Sequence, residues 1–406
     1  MSFQQGLSGL NAATKNLDII GNNVANANTV GFKSAAAEFA DVFASSVGGD
    51  KTQVGIGTSI TAVNTNFAQG NVNVSNNPLD LAINGQGFFR LDTKGVISYT
   101  RNGQYTLDKN GFMVNSNGDN LTGYAAGPGG VVDTASFAKL RVSTAQVPAG
   151  ATTTGNVSVN LNARKALLLP AGFNPTDPAT YSDATSLSVF DTLGNEHTLS
   201  LYFMKTAANS WKVFAAGDGV QIGAGSAGTL AFAANGTLDT VASTFPSIVN
   251  VPSSAGAGGP IAVNLDFAGT TQFGNAFSVN QLSQDGYTSG GVAGYSVTSD
   301  GTIVARYTNG QTRQQGQVVL ANFKNPGGLQ QLGSNLWVET AASGQPLPGA
   351  PGSSDLGVLQ SGALEDSNVN LTAALVAMIT AQRVYQANAQ TIKSQDEVLQ
   401  TMLNMK

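Results

Sequence analysis

The C-terminal residues, from 371 to 406, carry apolar side chains at alternating steps of four and three residues. A period of 3.5 residues is typical of a helix in a left-handed coiled coil. At about 1.5 Å per residue the predicted helix is roughly 54 Å long, too long for one small core to cover. The positions of this C-terminal seam are Leu371, Leu375, Met378, Gln382, Tyr385, Ala389, Ile392, Asp396, Leu399 and Leu403.

The start of this helix is marked by polar residues. Asn370 is a predicted N-cap, because an asparagine oxygen accepts a hydrogen bond from the first helical turn. Glu365 and Asp366 precede that turn, where acidic charge favours the helix dipole. We therefore expect the helix to begin directly after Asn370.

A shorter seam of the same spacing occupies the N-terminal residues. A single stripe is equally typical of an ordinary core helix, but two stripes at opposite ends favour helices that pack on each other or on other copies. The polar seam positions Gln382 and Asp396 either fix the register or face water. The N-terminal seam consists of Phe3, Leu7, Leu10, Thr14, Leu17, Gly21 and Val24.

Composition excludes several classes of protein. The 406 residues predict two to four domains, and the net charge of −5 leaves no basic patch for nucleic acid. The chain has no cysteine, which excludes disulfide scaffolds and thiolate metal sites. With charged residues at 11% and 49 glycines, the surface must be mainly neutral and polar.

The chain has neither a Sec-type signal pattern at its N-terminus nor an apolar run approaching 18 residues. We therefore expect no insertion into a membrane. If the protein is extracellular, we expect export without a cleaved Sec signal peptide.

Between the terminal helices the apolar period changes to two, and Asn-Gly and Asp-Gly pairs, which favour hairpin turns, recur. This pattern predicts mainly antiparallel β domains. The predicted strands include residues 79–83, 88–91, 186–190 and 198–203, rich in apolar and β-branched side chains. The fold class is therefore α+β, with several domains nested inside the terminal helices.

Composition shifts at residues 147–155 and 281–294 predict the boundaries of an inserted domain. We expect Phe190, Phe203, Trp211 and Phe214 in its core. The predicted division is 1–28 with 364–406 as a terminal helical domain, 29–70 with 355–363 as a linker region, 71–145 with 284–354 as an outer β domain, and 146–283 as an inserted β domain.

No motif supports catalysis, a cofactor or a metal. His197 is the one histidine and follows a Gly-Asn turn, which predicts an ordinary hairpin residue, although a Ser-His-Asp arrangement stays open. Residues 223–228 match a dinucleotide fingerprint in spacing alone, because a strand rather than a helix is predicted to follow. The sequence predicts a protein that is not an enzyme.

Several long stretches closely resemble the bacterial flagellar rod and hook family. They are residues 9–33, 81–90, 100–105, 362–370 and 378–388. Asn370 stands where the family usually has Asp, and Ala374 where it often has Glu; both changes remove charge at a helix N-terminus. The family-motif positions are Asn16, Gly21, Asn22, Asn23, Asn26, Thr29, Gly31, Phe32, Gln382, Arg383 and Asn388.

The resemblance implies a subunit exported through the flagellar type III apparatus and polymerised into a tube, with terminal helices inside and β domains outside. Length and the inserted domain fit the hook branch, whose tube is curved and flexible. Rod, hook-cap and hook-filament junction proteins are the implied partners. The alternatives are a distal rod protein or flagellin, and, in a different class, a monomeric extracellular adhesin or glycan-active enzyme.

Overall fold

The computed structural model describes residues 2–42, 55–127, 129–244 and 248–404, and its fold is α+β. The chain divides into two compact units. Unit 1 consists of Met1–Ser143, Gly294–Arg306 and Thr312–Lys406, and unit 2 of Thr144–Ala293 and Tyr307–Gln311. Unit 1 is thus built from both ends of the chain.

Unit 1 contains both long helices, α1 (Ser2–Ala25) and α2 (Leu371–Asn404). Leucine and alanine, both good helix formers, recur along them. The Asn-rich stretch after Ala25 ends α1, since asparagine side chains favour turns over helix interiors. Neither helix is both long and apolar enough to cross a membrane, among the residues described.

The strands of unit 1 before the insertion are β1 (Ala35–Val42), β2 (Gly57–Thr65), β3 (Val72–Val74), β4 (Leu81–Asn84), β5 (Phe88–Thr93), β6 (Val96–Thr100), β7 (Thr106–Leu107), β8 (Met113–Val114), β9 (Asn120–Ala126) and β10 (Val132–Lys139). Unit 2 carries β11 (Thr154–Asn162), β12 (Asp183–Phe190), β13 (Glu196–Ala207), β14 (Ser210–Gly217), β15 (Val220–Gln221), β16 (Gly228–Ala231), β17 (Val249–Val251), β18 (Ile261–Asp266), β19 (Thr271–Phe273) and β20 (Ser278–Gln284).

Unit 1 continues with β21 (Val292–Val297), β22 (Thr302–Tyr307), β23 (Thr312–Val318), β24 (Leu320–Asn322), β25 (Gln330–Gly333), β26 (Leu336–Val338), β27 (Leu347–Gly349), β28 (Val358–Ser361) and β29 (Ala363–Glu365). The first two residues of β21, Val292 and Ala293, and the last of β22, Tyr307, belong to unit 2. Short 3₁₀ turns occur at Pro170–Gly172, Pro178–Thr180 and Pro326–Gly328.

The main sheet of unit 1 has the order β21-β22-β23-β9-β5-β6-β26-β25. Its core is centred on buried side chains that include Leu81, Phe89, Met113 and Leu121. Two short antiparallel pairs, β4 with β28 and β3 with β29, join the C-terminal segment to the N-terminal half. The chain ends therefore meet inside one unit.

The region 29–70, predicted as a linker, contains regular structure. Strands β1 and β2 pair antiparallel, with a register shift between Glu38 and Phe39. The strands carry Phe39, Ile60 and Val63, whose apolar side chains favour a ribbon over an irregular connection. This ribbon packs along α1, as described below.

Unit 2 is a pair of sheets around one core. One sheet has the order β17-β18-β11-β19, and the other β12-β13-β14-β15. Pairing is mainly antiparallel, but β11 runs parallel to both β18 and β19. The predicted core residues Phe203, Trp211 and Phe214 are buried, whereas Phe190 is only half-buried.

The predicted strands correspond to β4, β5, β12 and β13, with ends that differ by up to four residues. Residues 223–227 form no helix, and β16 follows them directly. The prediction that a strand rather than a helix follows the dinucleotide-like spacing is therefore confirmed. No cluster of three or more potential metal-binding side chains occurs within the described ranges.

Candidate assembly site

Asn370 caps α2 as predicted. Its Oδ1 atom accepts a hydrogen bond from the Ala373 backbone N–H at 3.0 Å, and its carbonyl accepts one from Ala374 N–H at 2.9 Å. A free N–H group of the first turn is thereby satisfied. Glu365, expected to favour the helix dipole, lies in β29, and its buried carboxylate pairs with Lys33 and Arg101.

Helices α1 and α2 pack closely and run in opposite directions. A methyl group added at Gly6 would lie 3.0 Å from Ile392 Cγ1, and one at Gly9 would lie 2.7 Å from Asn388 Oδ1. Real Cβ atoms rarely come so close, so these glycines allow the near approach of the two backbones.

The face of α2 that lies towards α1 coincides only in part with the predicted seam. Its less exposed positions include Met378, Ala389 and Ile392 of that seam, and the other four each lie one residue before a seam position. Small residues allow the close approach. The least exposed positions of α2 are Ala374, Met378, Ala381, Asn388, Ala389, Ile392 and Gln395.

The remaining large side chains of the C-terminal seam face solvent. Leu371 and Leu375 are 45% and 43% exposed, and Leu399 and Leu403 are 54% and 76% exposed. Tyr385 is also exposed, at 38%. In a single chain these side chains form an uncovered apolar face on α2.

The N-terminal seam likewise contains both exposed and partly covered side chains. Phe3 and Leu7 are exposed, whereas Leu10, Leu17 and Val24 are half-buried. The buried positions of α1 again lie one residue away from the predicted ones. They are Gly6, Ala13, Ile20 and Asn23.

The ribbon β1–β2 holds another side of α1 through polar contacts. Gln5 Nε2 donates to the Gly55 carbonyl at 2.6 Å, and Ser8 Oγ accepts from Thr58 N–H at 3.3 Å. The Asn23 amide pairs with both backbone groups of Ala35, accepting from N–H at 2.9 Å and donating to C=O at 2.7 Å. Asn23, a motif residue, thus takes the place of a backbone partner for β1.

The next motif residues shape the turn after α1. Asn26 Nδ2 donates to the Asn22 carbonyl at 2.9 Å, and Thr29 Oγ1 donates to Asn26 Oδ1 at 3.2 Å. These three residues line a cleft of about 380 Å³ whose other walls include Asn102 and Asn117. The cleft is neutral and rich in amides.

Gly31 and Phe32 connect this turn to the β structure. Gly31 has φ +69°, and a Cβ there would lie 2.6 Å from Asn102 N. Its N–H donates to the Glu365 carbonyl at 2.7 Å, and the Phe32 side chain is buried. No other residue type fits Gly31 without strain.

The other motif residues are spread along the two helices. Asn16 and Asn388 line a largely apolar groove of about 370 Å³ with Gly9, Val384 and residues of the ribbon. Among the described residues, apart from its chain neighbours and the nearby backbone of α1, no heavy atom lies within 4 Å of a Cβ placed at Gly21. Gln382 and Arg383 are exposed on α2.

A buried ionic cluster joins the segment that follows α1 to the segment that precedes α2. These two segments are called the bases of the helices. Lys33 Nζ lies 2.6 Å from Glu365 Oε1, and Arg101 Nη1 lies 3.2 Å from Glu365 Oε2. The Glu365 carboxylate also accepts from Gly70 N–H at 2.8 Å. Lys33 donates in addition to the Ala68 carbonyl at 2.8 Å. These are the interactions that sequence reasoning missed: all three charged residues lie in the family-like stretches, but nothing in their spacing pairs them.

Burial lowers the pKa of Lys33 below its ordinary value, although the Glu365 carboxylate opposes the change. Burial likewise lowers the pKa of Arg101, which the same carboxylate opposes. The side chains of Lys33 and Glu365 are fully buried. Both buried cations therefore depend on the single Glu365 carboxylate for charge compensation.

The surroundings of His197 in unit 2 bear on the Ser-His-Asp arrangement that the sequence leaves open. Its Nδ1 lies 2.7 Å from Asp218 Oδ2, and its Nε2 lies 3.2 Å from Ser254 Oγ and 3.5 Å from Asp191 Oδ2. The hydrogen bond to Asp218 raises the pKa of His197. A carboxylate beside each ring nitrogen stabilises the charged imidazolium, which disfavours action of His197 as a general base towards Ser254.

Family models match most of the chain and define the class of protein as a component of the flagellar rod and hook. They are described as "Flagella basal body rod protein" (residues 3–33), "Flagellar hook protein FlgE/F/G D1 domain" (82–162), "Flagellar basal body protein FlaE D2 domain" (160–287) and "Flagellar basal body rod FlgEFG protein C-terminal" (360–405).

Curated relatives identify the branch within that class. The chain is 42% identical to the flagellar hook protein FlgE of Escherichia coli K12 and 40% identical to that of Salmonella typhimurium LT2, in each case over 100% of both chains. It is 32% identical to FlgE of Borreliella burgdorferi, over 100% of this chain and 99% of the relative. The chain belongs to the flagellar hook protein family.

A solved structure supports the fold. The crystal structure of Helicobacter pylori flagellar hook protein FlgE2 matches with a TM-score of 0.53 at 13% identity, covering 72% of this chain and 100% of the other.

Proposed function

We propose that this chain is the structural subunit of the flagellar hook, a curved, flexible tube that links rod to filament and transmits motor torque. The observation that carries the proposal is the uncovered apolar face of α2, in a chain that aligns over its full length with named hook proteins. An exposed apolar face of this length is unfavourable in a protein that stays monomeric, because water remains in contact with it.

The energetics favour covering this face with other copies. Each large apolar side chain that becomes buried contributes about 1.5–3 kcal/mol. Ordering the helices costs conformational entropy of similar size, so two long helices with one shared face are marginal alone. Repetition of the contact in a polymer supplies the missing burial.

In the assembled hook, α1 and α2 of many copies form coiled-coil contacts and line the inner tube. The terminal helical region (1–28 with 364–406) is the inner part, the β regions form the outer shell, and residues 146–283 are the inserted outermost domain. The exposed members of both seams make the contacts between copies. The polar, charge-poor β surfaces slide on one another as the tube bends.

The partners follow from this place in the organelle. The subunit forms a homopolymer, meets rod, hook-cap and hook-filament junction proteins at its ends, and reaches the outside through the flagellar type III export apparatus. No enzyme activity, cofactor, nucleic acid or membrane insertion is part of this function. The hook-protein relatives and the rod-protein models at both termini support the homopolymer and its place in the flagellum.

Electron microscopy of the purified full-length protein at high concentration tests the proposal. We expect short, curved tubes and a rise in helical circular dichroism as they form, because assembly covers α1 and α2. Straight tubes would indicate a rod protein instead. A protein that stays monomeric with fully helical termini would contradict the proposal and favour the adhesin or glycan-active alternative.

A further inference from the structure

The ionic cluster at the base of the helices contains two cations and one anion. Lys33 and Arg101 contact the same carboxylate, that of Glu365, and all three side chains are at least 96% buried. Arg101 Nη2 also donates to the Gly85 carbonyl at 2.8 Å, but a neutral acceptor does not balance its charge. Without Glu365, two positive charges would be buried side by side.

The three residues enter the fold from distant parts of the chain. Glu365 is 332 positions after Lys33 and 264 positions after Arg101. The segment that supplies the anion is therefore made long after the segments that supply the cations. Until it arrives, burying the cations is unfavourable because nothing offsets their desolvation.

The backbone of Glu365 has a second role at the same place. Its carbonyl accepts the Gly31 N–H, and β29 pairs with β3, where Glu365 is opposite Val72. Asn368 continues the contact, since its Oδ1 accepts from Ser34 N–H at 2.8 Å. Groups from the C-terminal segment thus contact Gly31, Lys33 and Ser34 at the base of α1.

We propose that Glu365 makes docking of the N-terminal helix base depend on arrival of the C-terminal segment, so that the two helices are fixed to the β structure together. This inference rests on the proposed function, in which the chain is exported before it assembles. A partial chain keeps residues 31–34 undocked, which prevents α1 from being fixed without its partner α2.

Hydrogen exchange on the full-length monomer tests the charge dependence. Glu365→Gln keeps the size of the side chain and its acceptor for Gly70 N–H, and removes only the charge. We expect exchange at Gly31 and Gly70 to become at least tenfold faster, with β13 of unit 2 unchanged. Asp366→Asn is the matched control and should change these rates less than twofold. Equal effects of the two variants would overturn the proposal.

A second variant separates uncompensated charge from lost packing. Adding Lys33→Met to Glu365→Gln removes one of the two stranded cations, so exchange at Gly70 should become slower than in Glu365→Gln alone. If the double variant exchanges faster than the single one, the cluster acts only through packing and the proposal fails.

Pulse labelling during refolding tests the order of events. Protection at Gly31 should appear together with protection in β29, and later than protection in the β5–β6 pair. Protection at Gly31 before β29 forms would contradict the proposal. All three measurements use monomers, so they can fail while tubes still assemble, and they can succeed in a chain that forms no tubes.

Discussion

Gly21 and Gly31 belong to the same family motif, but their surroundings are opposite. Gly31 has a positive φ and faces the backbone of Arg101 and Asn102 at less than 3 Å from an added Cβ. Gly21 lies within α1 and has open space where a side chain would point. A glycine in a helix costs stability unless something else requires it. In a single chain, nothing described around Gly21 does.

Gly31→Ala should destabilise unit 1 by about 1–3 kcal/mol, because alanine strains a left-handed backbone and collides with its neighbours. Gly21→Ala should stabilise α1 by about 0.5–1 kcal/mol. Urea unfolding of the two variants measures both effects. Equal destabilisation by the two variants would contradict the described difference between the surroundings of Gly31 and Gly21. If Gly21→Ala stabilises the monomer but blocks tubes, Gly21 faces another copy.

The charges around His197 give unit 2 a pH dependence. Hydrogen bonding to Asp218 raises the pKa of His197, so its stabilising effect is full below about pH 6.5 and is lost as pH rises through the raised value. The hydrogen bond from His197 lowers the pKa of Asp218, so that contribution is lost instead as pH falls below about 4. Both contributions are therefore present together between about pH 4 and 6.5.

Unit 2 should lose roughly 1 kcal/mol of stability between pH 6 and pH 9, a modest value because Asp218 is half exposed. Chemical denaturation followed by Trp211 fluorescence measures the change. His197→Asn should flatten the dependence, whereas Glu196→Gln, a neighbouring exposed change, should not. Stability that is constant or rises over this range in the unaltered protein would contradict the assignment.

At the scale of elements, the periodicity of the sequence predicted both helices and the cap at Asn370, since these depend on local residues. It did not predict which side of α2 meets α1. The apolar stripe is wider than the area that one helix covers, so several sides of α2 could have faced α1. The side with small residues does so, because the two helices approach closely at Gly9 and Ala381. The ribbon β1–β2 was missed because it is stabilised by polar contacts to α1 rather than by apolar alternation alone.

The close approach of α1 and α2 is testable at one contact. Gly9→Ala should destabilise the helix pair by about 1–3 kcal/mol, because its methyl group meets the Asn388 side chain. Asn388→Ala in the same chain should relieve most of this cost by removing that side chain. The loss of helical circular dichroism on heating compares the variants. Purely additive effects would show that the two residues do not touch.

At the scale of the molecule, the sequence predicted nested β regions because turn signals and composition change locally. The ionic cluster of Lys33, Arg101 and Glu365 could not be predicted in the same way. Its partners are hundreds of residues apart, and any of many charged residues could have paired. The one signal was that all three lie within the family-like stretches.

Removing unit 2 tests whether unit 1 folds without it. Excision of residues 152–285 keeps the antiparallel bridges of Val147 with Gly290 and Gly150 with Tyr287, which can close as a short hairpin. Unit 1 should unfold at nearly its usual urea concentration, and tubes should form but bend abnormally. Loss of all folding would contradict an independent unit 1.

The central claim, that the exposed face of α2 joins copies into a tube, is tested most directly by electron microscopy of Leu399→Glu. Leu399 is 54% exposed, so the variant monomer should remain folded, with unchanged exchange in the β strands. Lys393→Glu is the control for added acidic charge on the same helix. The account predicts tubes from the control and none from Leu399→Glu. Normal tubes from Leu399→Glu would contradict it.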